Sequence, residues 1–243
     1  MEVIVPALLV ATQKELKEKL ARLIGVVDAV QIDAVDGKFV APAPPSWPYV
    51  NEHNELNDLA ANGESLPYEN RFRFEADLMV SAPEDAAQAW VGAGASRITI
   101  HAASVSNLAE TLKRLSFHFG YSKDFTPDML SFGVALTMND DLAIIEPFLD
   151  QIDYVQCMGI AHIGRQGEPF DTHIVERIRT FHRAHPDMPV QVDGGVSLKT
   201  APALLAAGAA RLIIGSGIWE SPDVGARVRE FQDLALRYGL YER

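Results

Sequence analysis

Several things are scarce in this 243-residue chain, and each absence removes a class of function. Cys157 is the only cysteine. No intrachain disulfide can form, which fits a reducing compartment. No apolar run approaches the roughly 20 residues that a membrane helix needs. Basic residues are outnumbered, 21 against 33 acidic ones, for a net charge of −12, and they are scattered along the chain. Such a surface repels nucleic acid and anionic membranes, so neither is expected as a partner, although a nest of backbone N–H groups can still hold a small anion. The opening "MEVIVPALLVATQKEL" places an acid before its apolar run and has no basic stretch, unlike a secretory leader. A cytoplasmic location is the expectation.

Repetition is what the sequence has. Apolar segments with strand character fall at about 2–10, 28–34, 71–80, 96–102, 130–138, 152–160, 189–194 and 211–216. Helical stretches separate them, near 12–24, 51–61, 83–93, 105–119, 141–149, 171–186, 198–207 and 221–238. "VGAGASRITIH" (91–101) and "LAAGAARLIIGS" (205–216) echo one another as helix end, glycine stop and apolar strand. Eight such units predict an α/β fold, a single (β/α)8 TIM barrel spanning residues 1–243. A doubly wound open sheet is the lesser alternative, because no GxGxxG follows the first strand. Residues 38–70, rich in Pro and Asn, read as an extended loop with a short helix over the mouth.

In a barrel of this kind the chemistry lies at the C-terminal ends of the strands. Gln31, Asp33 and Asp36 end strand 2, Glu75 and Asp77 strand 3, His101 strand 4 and Asp193 strand 7. Gln31, Asp33, Asp77 and Asp193 are embedded in apolar sequence. A lone buried carboxylate is costly, whereas converging ones call for a cation or a shared proton. Each taken singly could also be a strand-edge residue or a helix cap. Asp36, in "VDGK", is better explained as a turn residue. His101 reads equally as ligand, general base or structural histidine. His53, His118, His173, His182 and His185 read as surface residues. Gly194 and Gly195 in "VDGGV", with Gly215 and Ser216 in "IGSGIW", stand where such barrels hold phosphate. Cys157 reads as a core residue. Lys14, Lys17, Lys19, Lys38, Lys113, Lys123 and Lys199 all lie outside the expected strands, which disfavours Schiff-base chemistry. No serine or cysteine elbow is evident. Acid–base chemistry on a phosphorylated ligand is what remains.

The segments "VDAVQIDAVDGKFV", "FEADLMV", "AGASRITIHAAS", "FGVALTM", "IDYVQCMGI", "VQVDGGV" and "IIGSGIW", in order through nearly the whole barrel, resemble the ribulose-phosphate 3-epimerase family. The resemblance implies a (β/α)8 isomerase that epimerises a ketopentose 5-phosphate at C3, with Asp33 and Asp193 at the matching proton-transfer positions. It also implies a divalent metal held by two histidines and those two aspartates. Here the sequence departs, since Gln31 and Asp77 stand at the histidine positions. The resulting set, Gln31, Asp33, Asp77 and Asp193, is all oxygen and favours Mg²⁺, Mn²⁺ or a similar hard cation over Zn²⁺. Without a metal, at least one of the clustered carboxylates should hold its proton near neutral pH. The family's serine after the strand-1 proline is Ala7. Its glycine-rich strand-6 loop becomes "AHIGRQGEPF", which keeps Gly164 and Gly167 and adds Arg165 as a phosphate-pairing candidate. The expected partner is a phosphorylated sugar, and a homo-oligomer is compatible with the reading. Two alternatives accompany it, a non-catalytic phosphosugar-binding barrel and a diverged epimerase with another substrate. Decarboxylation or aldol cleavage ranks below both, because those relatives carry a lysine that "QIDAVD" lacks.

Overall fold

The computed structural model describes residues 2–50, 55–121 and 129–238, so His53 and Lys123 lie outside it. Eight strands run parallel and close on themselves: β1 (Ile4–Leu8), β2 (Ala29–Val35), β3 (Arg73–Met79), β4 (Ala95–His101), β5 (Ser131–Leu136), β6 (Tyr154–Met158), β7 (Val190–Asp193) and β8 (Arg211–Ile214). Each pairs with its neighbours in sequence, and β8 returns to β1 through Val5 opposite Ile213. This is the expected (β/α)8 barrel.

The helices are α1 (Gln13–Ala21), α2 (Glu55–Asn62), α3 (Pro83–Gly92), α4 (Leu108–Phe119), α5 (His173–Ala184), α6 (Ala201–Ala206), α7 (Ser216–Trp219) and α8 (Val224–Leu236). Their starts follow from local chemistry. The side chains of Thr12, Asn107 and Asp223 accept the N–H groups of Glu15, Glu110 and Ala226, satisfying donors that a first turn leaves open. In α5, Ile174, Ile178 and Phe181 recur at helical spacing and are buried.

One expected helix is absent. Residues 141–149 form two short 3₁₀ turns, Leu142–Ile144 and Glu146–Phe148. Pro147 has no N–H to donate, and Ile144 and Ile145 are β-branched, so the segment cannot propagate α-helical bonding. The short α7 was not expected from the sequence.

The strands are two-faced. Val30, Ile32, Ala34, Phe74, Ala76, Leu78, Ile98 and Ile100 face outward into a cluster with Leu16, Leu20, Trp90 and Leu112 of the helices. Burial of each such large side chain contributes about 1.5–3 kcal/mol. The alternate residues face inward, and many of them are polar: Gln31, Asp33, Glu75, Asp77, Arg97, Thr99, His101, Gln156, Gln191, Asp193 and Arg211 are all buried. Tyr154 fills the middle of the barrel. It has room because β5 has Gly133 opposite, where a Cβ would lie 2.1 Å from the tyrosine ring.

The early part of the 38–70 segment is anchored at the mouth. Ser46 Oγ donates to the Asp33 carbonyl (2.7 Å) and accepts the Val35 N–H (2.8 Å). Trp47 Nε1 donates to Glu55 (2.8 Å), and its ring meets Trp90 edge-on at 5.9 Å. No described helix is long and apolar enough to cross a membrane.

Candidate active site

The register of the sheet brings three acids to one level. Asp33 lies opposite Asp77 on β2 and β3, and Asp193 lies opposite Met158 on β6. One carboxylate oxygen from each of the three falls within 4.8 Å of the others. Asp77 is fully buried, while Asp33 and Asp193 keep 8 % and 9 % of their surface exposed, enough for an edge of each to reach a ligand.

Their partners differ. The Gln31 amide nitrogen donates to both Asp33 Oδ1 (3.0 Å) and Asp193 Oδ2 (2.8 Å). Asp77 instead meets His101 Nε2 at 2.9 Å and accepts from Gln156 Nε2 at 3.3 Å. Burial, then the charge of Asp77, pushes the Asp33 carboxyl up to about 7, against the opposing Gln31 hydrogen bond. Burial and the charges of Asp33 and Asp77 hold Asp193 well above the usual carboxylate range.

This donor set fits a divalent cation. Three carboxyls converge with His101 as their one basic neighbour in contact among the described residues, and their hard oxygen atoms could hold a metal ion. Gln31 turns its nitrogen, rather than its oxygen, toward the acids. Its Oε1 is buried with no hydrogen-bond partner among the described residues, so turning the amide over would aim an idle oxygen at the same place. Gln31 is therefore a bridge between the two acids as arranged here, and a ligand only after that rotation.

The acids open into a small cavity of about 40 Å³. Gly164, Arg165, Gly167, Gly194, Gly195, Gly215 and Ser216, the expected phosphate-side residues, all line it. Two of these positions admit only glycine. Gly194 and Gly195 have φ of 96° and 68°, and a Cβ there would strike Ile160 and Phe170 at 2.7 and 2.8 Å. Val35, Met79, Met158, Ile160 and Ile163 cluster as an apolar wall beside the carboxylates.

Some residues expected near the site have other roles. Asp36 works against its own partial burial by accepting the N–H groups of Ser81, Phe39 and Lys38 and the Ser81 hydroxyl, which hold its pKa low, as a turn residue should. Glu75 lies one layer deeper, paired with Arg211. His101 is buried and touches Asp77, not the cavity. Cys157 faces the outer core, where burial pushes its thiol up to about 11. Other participants escaped the sequence reading. Gln166 packs its amide 2.8 Å from where a Gly215 Cβ would stand, and Gln156 and Gln191 sit beneath the acids. Gln156 and Gln191 share the inward parity of Met158 and Asp193 on their strands, a signal that a strict two-residue count would have caught.

Comparison with known proteins bears on what this geometry serves. A ribulose-phosphate 3-epimerase from Aquifex aeolicus is 26% identical over 241 residues, 97% of this chain and 98% of that protein. One from Schizosaccharomyces pombe is 27% identical over 223 residues, 90% of this chain and 89% of its own. Among solved structures, 3-hexulose-6-phosphate synthase from Salmonella typhimurium aligns with a TM-score of 0.68 at 17% identity, over 98% of this chain and 100% of that one. The orotidine 5'-phosphate decarboxylase from Pyrococcus horikoshii aligns at 0.61 and 15%, over 96% and 99% of the two chains. At such identities these two speak to the fold alone. The sequence profile of the ribulose-phosphate 3 epimerase family matches residues 3–219, and the chain belongs to that family.

Proposed function

We propose that this chain interconverts ketopentose 5-phosphates, ribulose 5-phosphate with xylulose 5-phosphate or a close relative, by inverting C3 through proton exchange between Asp33 and Asp193. The observation that carries the reading is the pair itself. Two carboxyls from β2 and β7, both with raised proton affinity, edge one cavity whose other side is a glycine-rich cradle.

Epimerisation needs two such groups. One carboxylate takes the C3 proton, leaving the electron pair delocalised onto the C2 oxygen. The other, protonated beforehand, delivers its proton to the opposite face of C3. In the cation-free protein, burial and mutual charge favour the protonated form of these carboxyls, so one of the pair can start with the proton that the exchange delivers. Gln31, donating to both acids, holds their inner oxygens in place. The backbone around Gly194, Gly195 and Gly215, with Ser216 and Arg165, supplies donors for the phosphate. Asp33, Asp77 and Asp193, with Gln31 once its amide is turned, would hold a divalent cation, which when bound supplies Lewis-acid polarisation of the substrate ketone.

Elemental analysis of the purified protein, alongside a coupled assay of D-ribulose 5-phosphate epimerisation with and without Mn²⁺ or Mg²⁺, tests the reading. Metal-dependent turnover that a chelator abolishes is expected; metal-replete protein inactive on every pentulose phosphate would overturn it. The Gln31 bridge favours a second reading, because it ties the two acids together without any cation. A non-catalytic barrel of that kind would be stabilised thermally by a phosphosugar and show no turnover.

A further inference from the structure

Beneath the acids a hydrogen-bonded line runs from Arg211 to Asp77. Glu75 clamps Arg211, accepting Nη1 at 3.0 Å. Arg211 Nη1 donates to Gln191 Oε1 at 2.8 Å, and Arg97 adds a longer contact to the same oxygen at 3.3 Å. Gln191 Nε2 donates to Gln156 Oε1 at 2.6 Å, and Gln156 Nε2 donates to Asp77 Oδ2 at 3.3 Å. From Arg211 through Gln191 and Gln156 each donor points toward Asp77, while Arg211 also donates back to Glu75, and all these residues are buried. Two amides in series are thereby locked, since flipping either would set donor against donor and acceptor against acceptor.

On its other oxygen Asp77 meets His101 Nε2 at 2.9 Å. Each Asp77 oxygen is thus engaged once from within the barrel and keeps one lone pair. Asp33 and Asp193 instead share the Gln31 amide as donor, and Asp193 also takes the Gly194 N–H.

We propose that Gln156 is a positioning residue. At the end of the Arg211–Gln191 line and opposite His101, it fixes the Asp77 carboxylate so that its remaining lone pairs serve a divalent cation shared with Asp33 and Asp193. The inference rests on the reading of the three aspartates as a cation site.

The test compares Mn²⁺ affinity, by electron paramagnetic resonance of free Mn²⁺, for the wild type, Gln156→Leu and Gln156→Glu. Leucine removes the donor at similar volume, and glutamate offers Asp77 an acceptor in its place. Both are expected to bind Mn²⁺ about 10- to 100-fold more weakly, the usual effect of removing a ligand's supporting partner. At saturating Mn²⁺, Gln156→Leu should recover most of its kcat with the sugar KM unchanged, which a general packing defect would not allow. Should Gln156→Leu fail to fold, Gln156→Glu and Gln191→Leu carry the same comparison, the latter with a smaller loss. A folded Gln156 variant that binds Mn²⁺ within twofold of wild type overturns the proposal, as does wild-type protein that binds no Mn²⁺. Wild-type protein that binds Mn²⁺ but turns over no pentulose phosphate defeats the epimerase reading, while weaker binding by the variants still supports the role of Gln156.

Discussion

Two clusters of charge are buried inside this barrel, one residue pair apart along the same strands, and they are built on opposite principles. The deeper one joins Glu75 to Arg211 and Arg97, with Gln191 accepting from both arginines and the Tyr154 ring 3.4 Å from the Arg97 guanidinium carbon. The upper one sets Asp33, Asp77 and Asp193 together with, among the described residues, no basic side chain except His101 in contact. In the deeper cluster opposite charges meet, two guanidinium groups sharing the Glu75 carboxylate, with the Tyr154 ring and the Glu2 carbonyl as further partners. The upper one sets three acids against one another two residues further along β3 and β7, where burial and mutual repulsion raise the proton affinity of Asp33 and Asp193 and folding gains nothing from them. An imbalance of that kind, at the end of the strands where ligands enter, is the mark of a site kept for chemistry.

The comparison can be broken from either side. The largest effect is expected in the upper cluster, where Asp33→Asn or Asp193→Asn should lower kcat by about 10²–10⁴-fold in the coupled assay, the range general acid–base groups supply. In the deeper cluster the loss should fall on stability. Glu75→Gln leaves two buried guanidinium groups without their carboxylate and should cost about 3–5 kcal/mol in urea unfolding.

The pH dependence of the metal-free protein comes next. Asp33 has a folded pKa near 7 against an ordinary 3.8, so the folded state binds more protons than the unfolded chain between those values. Stability should therefore be highest at the acid end of that window and fall as pH rises through 7, the opposite of a paired carboxylate. Scanning calorimetry from pH 5 to 8 should show a falling midpoint. Asp33→Asn should flatten the fall and melt higher than wild type at pH 8, while losing activity. The smallest change is expected at the rim. Ser46→Ala removes two hydrogen bonds to the end of β2 and should cost about 1–2 kcal/mol, read as a lower urea midpoint.

What could be read from the sequence was whatever repeats or alternates. Eight apolar segments separated by helical ones led to the barrel, and acids embedded in apolar strands led to Asp33, Asp77 and Asp193. The glycines after β7 and β8 marked the cradle because side-chain-free positions are needed where backbone must come close. Residues 141–149 misled because their apolar spacing suits a helix while Pro147 and two adjacent isoleucines do not. The Gln31 amide could not be read in advance, since which end of it faces the acids depends on a side-chain torsion and on two neighbours, one of them 162 residues away. A two-residue count puts Gln156 and Gln191 inside the barrel but says nothing of what they meet there. Their importance lies in lining up across strands, which only the closed barrel decides.

The most direct test of the two-aspartate claim follows the C3 hydrogen itself. Incubation of D-ribulose 5-phosphate with Mg²⁺-loaded protein in D₂O, monitored by proton NMR, should show deuterium entering C3 in step with epimerisation. That exchange should disappear in Asp33→Asn and Asp193→Asn. Protein that binds Mg²⁺ and the sugar yet leaves the C3 hydrogen in place would contradict the assignment of these two residues.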